Sequence, residues 1–146
     1  MPTLTVMDDA SLGAEEIIIF TVGDEKFGVS RAAVENVEDI CAHAEFPTID
    51  LRQKFGYSQS SLRMKGRLLV LRHGDQVLGF EVDRLIAFEI MNEQTDLKRS
   101  GYAVMNIDRE LIRGVIFRCQ DQVKVLDVAK LFRFADGILK HSRMSA

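Results

Sequence analysis

The residues of this sequence that could do acid–base chemistry are four aspartates that each follow an apolar residue: Asp50, Asp83, Asp108 and Asp127. Paired carboxylates can divide general acid and general base roles between them. None of the four lies in the Asp-Thr/Ser-Gly context of an aspartic protease. Asp50 and Asp127 each precede a helical turn, whose free N–H groups a carboxylate can cap. The sequence therefore favours structural roles for these side chains over catalysis.

The sequence also gives no support for a metal site or for a catalytic nucleophile. Cys41 and His43 are separated by one residue, but no matching pair lies elsewhere, so a zinc site is not predicted. The sequence contains neither a Gly-x-x-x-x-Gly-Lys-Ser/Thr phosphate loop nor a Gly-x-Ser-x-Gly elbow. We therefore predict that the protein is not an enzyme and binds no cofactor. The two cysteines, Cys41 and Cys119, make no disulfide framework, which favours a reducing, cytoplasmic location.

Charge is distributed unevenly along the 146 residues, whose net charge is −3. Residues 1–50 carry eleven acidic and two basic side chains, whereas residues 51–74 carry six basic side chains and no acidic one. Adjoining segments of opposite charge suit polar docking surfaces, or are simply solvated faces. The basic segment, with Phe55 and Tyr57, could also bind nucleic acid, but the overall acidity counts against this. No apolar run approaches the roughly 18 residues that span a bilayer, so membrane insertion is not predicted.

The elements that would position these residues occur twice. Phe46–Gly56 and Val123–Phe132 each contain an apolar run, an aspartate and one helical turn ending in phenylalanine. Two predicted hairpins match as well, each with a Gly-Asp turn and a glycine in the return strand: Gly23, Asp24 and Gly28, then Gly74, Asp75 and Gly79. A glycine within a strand often marks a bend or bulge. The chain is therefore predicted to consist of two halves of one design.

Two halves of short strands with little helix predict a mainly β fold of two packed small barrels and a short C-terminal helix. The interval from the hairpin turn to the capping aspartate is twice as long in the second half, so either the second half carries an insertion or the first barrel is truncated. We assign the domain to residues 16–136. Residues 1–15 are predicted to be a flexible leader. A helix over 128–135 is predicted to stop at Gly137, leaving residues 137–146 as a tail.

Five stretches, in this order, resemble the CheW-type coupling proteins of bacterial chemosensory arrays: Ile18–Val29, Phe46–Gly56, Val77–Leu85, Leu111–Val115 and Val123–Val128. The resemblance covers about residues 16–134. It implies a fold of two intertwined, five-stranded SH3-like barrels. It also implies a non-enzymatic adaptor that links the cytoplasmic tips of chemoreceptors to a CheA-type histidine kinase.

The sequence departs from this family between Val37 and Pro47. There the family has two further strands and an Asn-Leu-Arg-Gly motif, for which the segment is too short. Asn36 stands where the family usually has the glutamate that partners the arginine of that motif. The two charged partners are expected to be lost together, because a single unpaired charge would destabilise the fold more than the loss of the pair. We expect a divergent short form that couples to the kinase poorly or not at all.

The receptor-contacting surface of the family corresponds, by this resemblance, to five positions: Val34, Asn36, Arg67, Leu68 and Gly79. Strand packing, or a bend at Gly79, explains the same residues without a partner. The expected partners are a chemoreceptor tip, a paralogous CheW-like protein and, through exposed strand edges, a second copy of the chain. Two alternatives stay open: an ordinary coupler that bridges receptor and kinase, and a small-barrel protein that binds nucleic acid.

Overall fold

The computed structural model of the protein describes residues 14–23, 25–40, 45–55, 66–99, 109–118 and 121–145. Nine strands lie in these residues: β1 (Ala14–Val22), β2 (Glu25–Ser30), β3 (Val34–Asp39), β4 (Thr48–Asp50), β5 (Arg67–His73), β6 (Gln76–Val82), β7 (Arg84–Asn92), β8 (Ile112–Arg118) and β9 (Asp121–Leu126). The helices are α1 (Leu51–Lys54) and α2 (Val128–Ser145), with 3₁₀ turns at Arg31–Ala33 and Arg109–Leu111.

The strands form two sheets that interleave the halves of the chain. Sheet A has the order β7-β1-β2-β9-β8, and sheet B has the order β3-β5-β6-β4. The first hairpin, β1-β2, therefore lies between strands of the second half, and the second hairpin, β5-β6, lies between strands of the first half. Neither half forms a sheet alone, so each half needs the other for its backbone hydrogen bonds. The prediction of a mainly β fold with two subdomains is confirmed.

The two sheets correspond strand by strand, with one exception. The return strand of each hairpin pairs in parallel with the strand that precedes a capped helix, β2 with β9 and β6 with β4. In sheet A, β8 then pairs with the far side of β9. No described strand takes the corresponding place beside β4. The described residues of sheet B thus form one strand fewer than those of sheet A.

Backbone conformation at the hairpin turns agrees with the sequence, whereas the pairing within the two hairpins shows no bulge at the strand glycines. Gly23 and Gly74 have φ values of 65° and 63°, which only glycine adopts readily. Gly28 and Gly79, however, lie in hairpins of regular register. The irregularities occur in other strand pairs, one of them next to Gly114 in β8. Gly79 is explained by close packing, which is described below.

The main core lies between the sheets and holds five buried phenylalanines: Phe20, Phe27, Phe55, Phe80 and Phe132. A second, smaller cluster fills the other face of sheet A: Ile17, Ile19, Met91, Leu97, Ile116, Val123 and Val125. Leu97 reaches this cluster because the chain after β7 turns back onto β8. There the N–H and C=O groups of Lys98 bond those of Val115, at 2.8 and 2.7 Å. This return closes sheet A toward a barrel.

Both predicted chain ends are corrected by the structure. β1 begins at Ala14, so the last two residues of the predicted leader, Ala14 and Glu15, belong to a strand. Helix α2 continues through Gly137 to Ser145, where a tail was predicted. A glycine costs a helix about 1 kcal/mol, and Ile138 and Leu139 offset this by packing against the main core. Within the described part of the chain, no helix is long and apolar enough to cross a membrane.

Candidate partner-binding surface

The five residues predicted from the family resemblance all lie in sheet B. β3 carries Val34 and Asn36, β5 carries Arg67 and Leu68, and β6 carries Gly79. Strand β5 pairs with both neighbours, so residues far apart in sequence become adjacent. Val70 of β5 stands between Asn36 on one side and Gly79 on the other. The structure therefore brings these residues together on one sheet.

Burial divides the five residues into two groups. Leu68 is only 1% exposed, and Gly79 is also buried. Val34 is half-buried and packs against the main core. Asn36 is exposed, and Arg67 is partly exposed. In the structure as it stands, a partner can touch Asn36 and Arg67 directly, whereas Leu68 and Gly79 shape the surface from beneath.

Three side chains approach Gly79 of β6 closely. A Cβ atom at Gly79 would lie 2.9 Å from Leu68 Cδ1, 2.9 Å from Phe46 Cε2 and 3.1 Å from Thr48 Cγ2. Its N–H donates to the carbonyl of Pro47 at 2.9 Å. A larger residue would therefore force the side chains of Leu68 and Phe46 to shift. The glycine is required by packing, and it keeps the closing strand of the first half on the sheet.

The outer edge of sheet B is polar and partnered within the chain. Arg67 Nη1 donates to Asp39 Oδ1 at 2.7 Å, and Arg72 forms an ion pair with Glu35. The side-chain amide of Asn36 donates to Glu38 at 2.9 Å. Exposed ion pairs of this kind add little to stability, because water screens them. They do give β3 and β5 a surface of mixed charge suited to polar recognition.

A buried arginine links this surface to the first hairpin. The side chain of Arg52, 6% exposed, lies 3.2 Å from the Asp50 carboxylate and 3.6 Å from that of Asp83. The other oxygen of Asp83 accepts the Gly23 N–H at 2.6 Å. Burial, followed by repulsion from Asp50, raises the pKa of Glu81, and Arg52 opposes this shift. These carboxylates hold the turns of the fold together and are not arranged around an open reaction site.

The capping roles predicted for two aspartates are confirmed. The Asp50 carboxylate accepts the backbone N–H of Arg52 at 2.9 Å. Asp127 accepts the N–H of Lys130 at 3.1 Å at the start of α2. Asp108, Cys41, His43 and Cys119 lie outside the described residues. Among the residues that are described, no group of three or more His, Cys, Asp or Glu side chains could hold a metal ion.

The sequence analysis missed one surface feature. Most large apolar side chains are buried, but four in the described residues are exposed: Ile86, Phe88, Ile90 and Phe117. The first three lie at alternate positions of β7. A signal was present, because the run from Leu85 to Met91 is apolar at nearly every position.

Comparisons with known proteins agree with the geometry. The profile of the CheW-like domain family matches residues 43–136. The chemotaxis protein CheW of Helicobacter pylori is 46% identical over 52 residues, which are 36% of this chain and 31% of that protein. The chemotaxis protein CheW of Treponema pallidum is 27% identical over 139 residues, covering 80% of this chain and 81% of that protein. The chain thus matches under a third of the first relative and about four fifths of the second.

A solved structure is similar over most of the chain. The scaffolding protein TtCheW of Thermoanaerobacter tengcongensis has a TM-score of 0.64 and 19% sequence identity, over 77% of this chain and 84% of that one. At this identity the likeness supports the fold, with its SH3-like subdomains. The matched family profile covers well over half of the residues, from the segment before β4 into α2. The chain therefore belongs to the CheW-like domain family.

Proposed function

We propose that this chain is a non-enzymatic adaptor of a bacterial chemosensory array, a short CheW-like form that resembles FrzB of the Frz chemosensory system. It acts in the cytoplasm at the array, where it binds the cytoplasmic tip of a chemoreceptor, a paralogous coupling protein, or both. It binds the CheA-type histidine kinase weakly or not at all. Membership of the CheW-like family and the fold support the adaptor role.

One observation carries the proposed difference from an ordinary coupler. Strand β3 ends at Asp39 and β4 begins at Thr48, so sheet B has four described strands against five in sheet A. The interval at the corresponding place in sheet A contains β8. A coupling protein that uses this missing region to hold the kinase loses that contact. Receptor binding is retained, because β3, β5 and β6 are all present.

The exposed edge of sheet B supports receptor binding through polar contacts. The side-chain amide of Asn36 donates a hydrogen bond to Glu38, and its oxygen accepts one from the N–H of Val37. Both hydrogen bonds lie at the surface. Arg67 is held by Asp39 on the neighbouring strand. Because these bonds are exposed to water, replacing either of them with a bond to a partner costs little free energy.

The deciding experiment is a binding matrix with three purified partners: a receptor cytoplasmic tip, the regulatory domain of a CheA-type kinase and a paralogous CheW-like protein. We expect binding to the receptor tip or the paralogue, and kinase binding at least about tenfold weaker than that of a five-stranded relative measured alongside. Kinase affinity equal to that of the relative would show that the missing strand does not decide coupling.

Variants locate the receptor contact. Replacing Asn36 with arginine adds bulk and charge at the exposed edge, so receptor affinity should fall about tenfold. Lys130→Ala, on the exposed face of α2, is the matched control and should leave receptor binding unchanged. Equal effects of the two variants would place the receptor elsewhere on the molecule.

Two other functions are separated by simple measurements. An ordinary coupler would stimulate kinase autophosphorylation in reconstituted arrays, which this chain should not do. A nucleic-acid-binding barrel would retain DNA with a strong dependence on salt. The ion pairs of Arg67 and Arg72, and the burial of Arg52, leave the basic segment with fewer free cations than its composition suggests. The structure therefore favours the adaptor over nucleic-acid binding.

A further inference from the structure

Strand β7 has a long free edge at the margin of sheet A. It spans nine residues, Arg84–Asn92, and among the described strands it pairs with β1 alone. Three of its apolar side chains, Ile86, Phe88 and Ile90, are 45%, 61% and 62% exposed. A long, apolar edge strand is a template to which another strand can add, so folded proteins block such edges.

The strand at the margin of sheet B is of a different kind. β3 is six residues long, and its exposed side chains, Glu35, Asn36 and Asp39, are all polar. Glu35 and Asp39 also form ion pairs with β5. Charged side chains on an edge strand oppose the addition of a further strand. β7 exposes apolar side chains instead, so its edge needs protection from elsewhere in the fold.

An irregularity in the pairing protects the first half of β7. The adjacent residues Ile19 and Phe20 of β1 lie opposite Ala87 and Leu85, so Ile86 is left out of the register. A bulge of this kind bends the strand and interrupts the regular row of backbone groups that an added strand would need. The register is regular in the remainder of β7, which is therefore the half that the bulge leaves unprotected.

Arg118, at the end of β8, lies across this second half. Its Nη2 group donates to the carbonyl oxygen of Ile90 at 3.1 Å and to the Asp96 carboxylate at 3.2 Å. Its Nε lies 3.7 Å from the Glu89 carboxylate, and its Nη1 donates to the carbonyl of Phe117 at 3.1 Å. The guanidinium therefore occupies the place from which an added strand would bond the Ile90 carbonyl.

The direction of the Ile90 carbonyl shows which backbone groups of β7 form the free edge. In an antiparallel pair, the N–H and C=O of one residue point to the same side, and successive residues alternate. The Ile90 carbonyl points to Arg118 and thus away from β1. The N–H of Ile90 and both backbone groups of Phe88 consequently point outward as well, because the register between them is regular. Strand addition would use these groups.

The position of Arg118 is fixed by the segment that follows β7. The Asp96 carboxylate accepts the N–H of Asn92 at 2.8 Å, and the N–H of Asp96 donates to the carbonyl of Asn92 at 2.8 Å. The Arg118 side chain is 26% exposed, so water screens its ion pairs less than those of a fully exposed arginine. The guanidinium is thus held in place from the β7 side.

We infer that Arg118 guards the free backbone edge of β7 against pairing with a strand of another chain. An incoming strand can reach the Ile90 carbonyl only after the contacts of the guanidinium with Glu89 and Asp96 are broken. The bulge at Ile86 protects the other half of the strand. This inference concerns one edge of sheet A and does not rest on the proposed adaptor function, so each can fail without the other.

Removal of the guanidinium tests the inference. Arg118→Ala should raise the constant for self-association at least about tenfold over that of the wild type, in sedimentation equilibrium at matched concentrations. Arg113→Ala is the matched control, since Arg113 lies on the same strand but pairs with the side chains of Glu15 and Glu93. It should associate no more than the wild type. Equal association of Arg118→Ala and the wild type would overturn the inference.

A second substitution keeps the test decisive if Arg118→Ala is too unstable to measure. Arg118→Met retains the aliphatic stem of the side chain but removes every donor. It carries the same expectation, and circular dichroism and thermal unfolding show that it is folded. A folded Arg118→Met variant that associates no more than the wild type contradicts the proposed guard.

A proline at Phe88 separates strand pairing from contact between apolar side chains. Phe88→Pro removes the outward N–H, which a strand at the margin of a sheet tolerates. Phe88→Ala removes the aromatic ring but keeps that N–H. Combined with Arg118→Ala, the proline should return the association constant to the wild-type value, whereas the alanine should leave it raised. Equal loss of association in both double variants would assign the contact to the ring and overturn strand pairing.

Discussion

At the scale of single residues, Gly79 and Glu81 show how sheet B is held together. Gly79 lets Phe46 and Thr48 approach the sheet to distances that a Cβ atom would forbid. Two residues along the same strand, Glu81 lies beside Asp50 of β4 in the parallel register. One residue acts through the absence of a side chain and the other through a carboxyl group. Both decide how closely β4 joins β6.

Replacing Gly79 with alanine should destabilise the protein by about 1–3 kcal/mol, the usual cost of overpacking a filled site. The measurement is urea unfolding followed by circular dichroism. Gly137→Ala is the control, since nothing lies within 4 Å of a Cβ at that helical position. It should stabilise the protein by about 0.5–1 kcal/mol. Unchanged stability of Gly79→Ala would mean that Phe46 and β4 shift without cost.

The raised pKa of Glu81 predicts a pH dependence of stability. A carboxyl group whose pKa is higher in the folded state than its ordinary value of 4.5 binds more protons when folded. Stability is therefore lost as the pH rises from about that value through the raised pKa. Glu81→Gln removes this loss, so the variant should gain stability over the wild type near neutral pH. The gain should disappear in acid, as followed by thermal unfolding at several pH values.

A constant difference between Glu81→Gln and the wild type at all pH values would contradict this. It would show that the substitution acts through packing or hydrogen bonding instead of through ionisation.

At the scale of elements, the short helix α1 does more than close a turn. Its Asp50 cap and buried Arg52 connect β4 to Asp83, which in turn binds the backbone of the first hairpin at Gly23. A backbone hydrogen bond reinforces this link, because the N–H of Asp83 donates to the carbonyl of Thr21 at 2.9 Å. A four-residue helix has little stability of its own and depends on such contacts.

Arg52→Met should therefore destabilise the protein by about 3 kcal/mol, because it leaves the partly buried carboxylates of Asp50 and Asp83 without a compensating charge. Combining it with Asp83→Asn should cost less than the sum of the two single changes. Lys54→Met, exposed in the same helix, should change stability by no more than about 0.5 kcal/mol. The four free energies of unfolding form a double-mutant cycle. Strict additivity would mean that Arg52 and Asp83 do not interact.

At the scale of the whole molecule, the two interleaved sheets differ in how completely their strands are paired. β9 is paired on both sides, with β2 and β8, whereas β4 is paired only with β6 among the described strands. The difference is the structural basis for the proposed loss of kinase coupling. Among the described residues, no strand protects the free side of β4 as β8 protects the corresponding side of β9.

Hydrogen exchange should reveal this inequality. We expect the amides of β4 to exchange on the order of tenfold or more faster than those of β9, because opening β4 breaks fewer contacts. Mass spectrometry of peptides covering Thr48–Asp50 and Asp121–Leu126 measures both in one sample. Equal protection would show that another part of the chain covers β4. Binding of a partner at that edge would slow exchange in β4 alone.

The sequence by itself determined the local features, because their causes lie within a few residues. A glycine with positive φ sets each hairpin turn, and an aspartate caps each helical turn after an apolar strand. The repetition of these signals indicated two related halves, and the resemblance of five stretches indicated the CheW-like family. The five candidate residues also followed from that resemblance, and all of them lie on sheet B.

Only the tertiary structure decided how the halves combine and what they expose, because both depend on contacts between residues far apart in the chain. No local signal places β1-β2 between β7 and β9, or buries Arg52 against Asp83. Nor could periodicity show that Leu68 is covered while Phe88 faces water, since both belong to apolar strands. Their exposure follows from the place of each strand in its sheet: β5 lies inside sheet B, and β7 at the margin of sheet A.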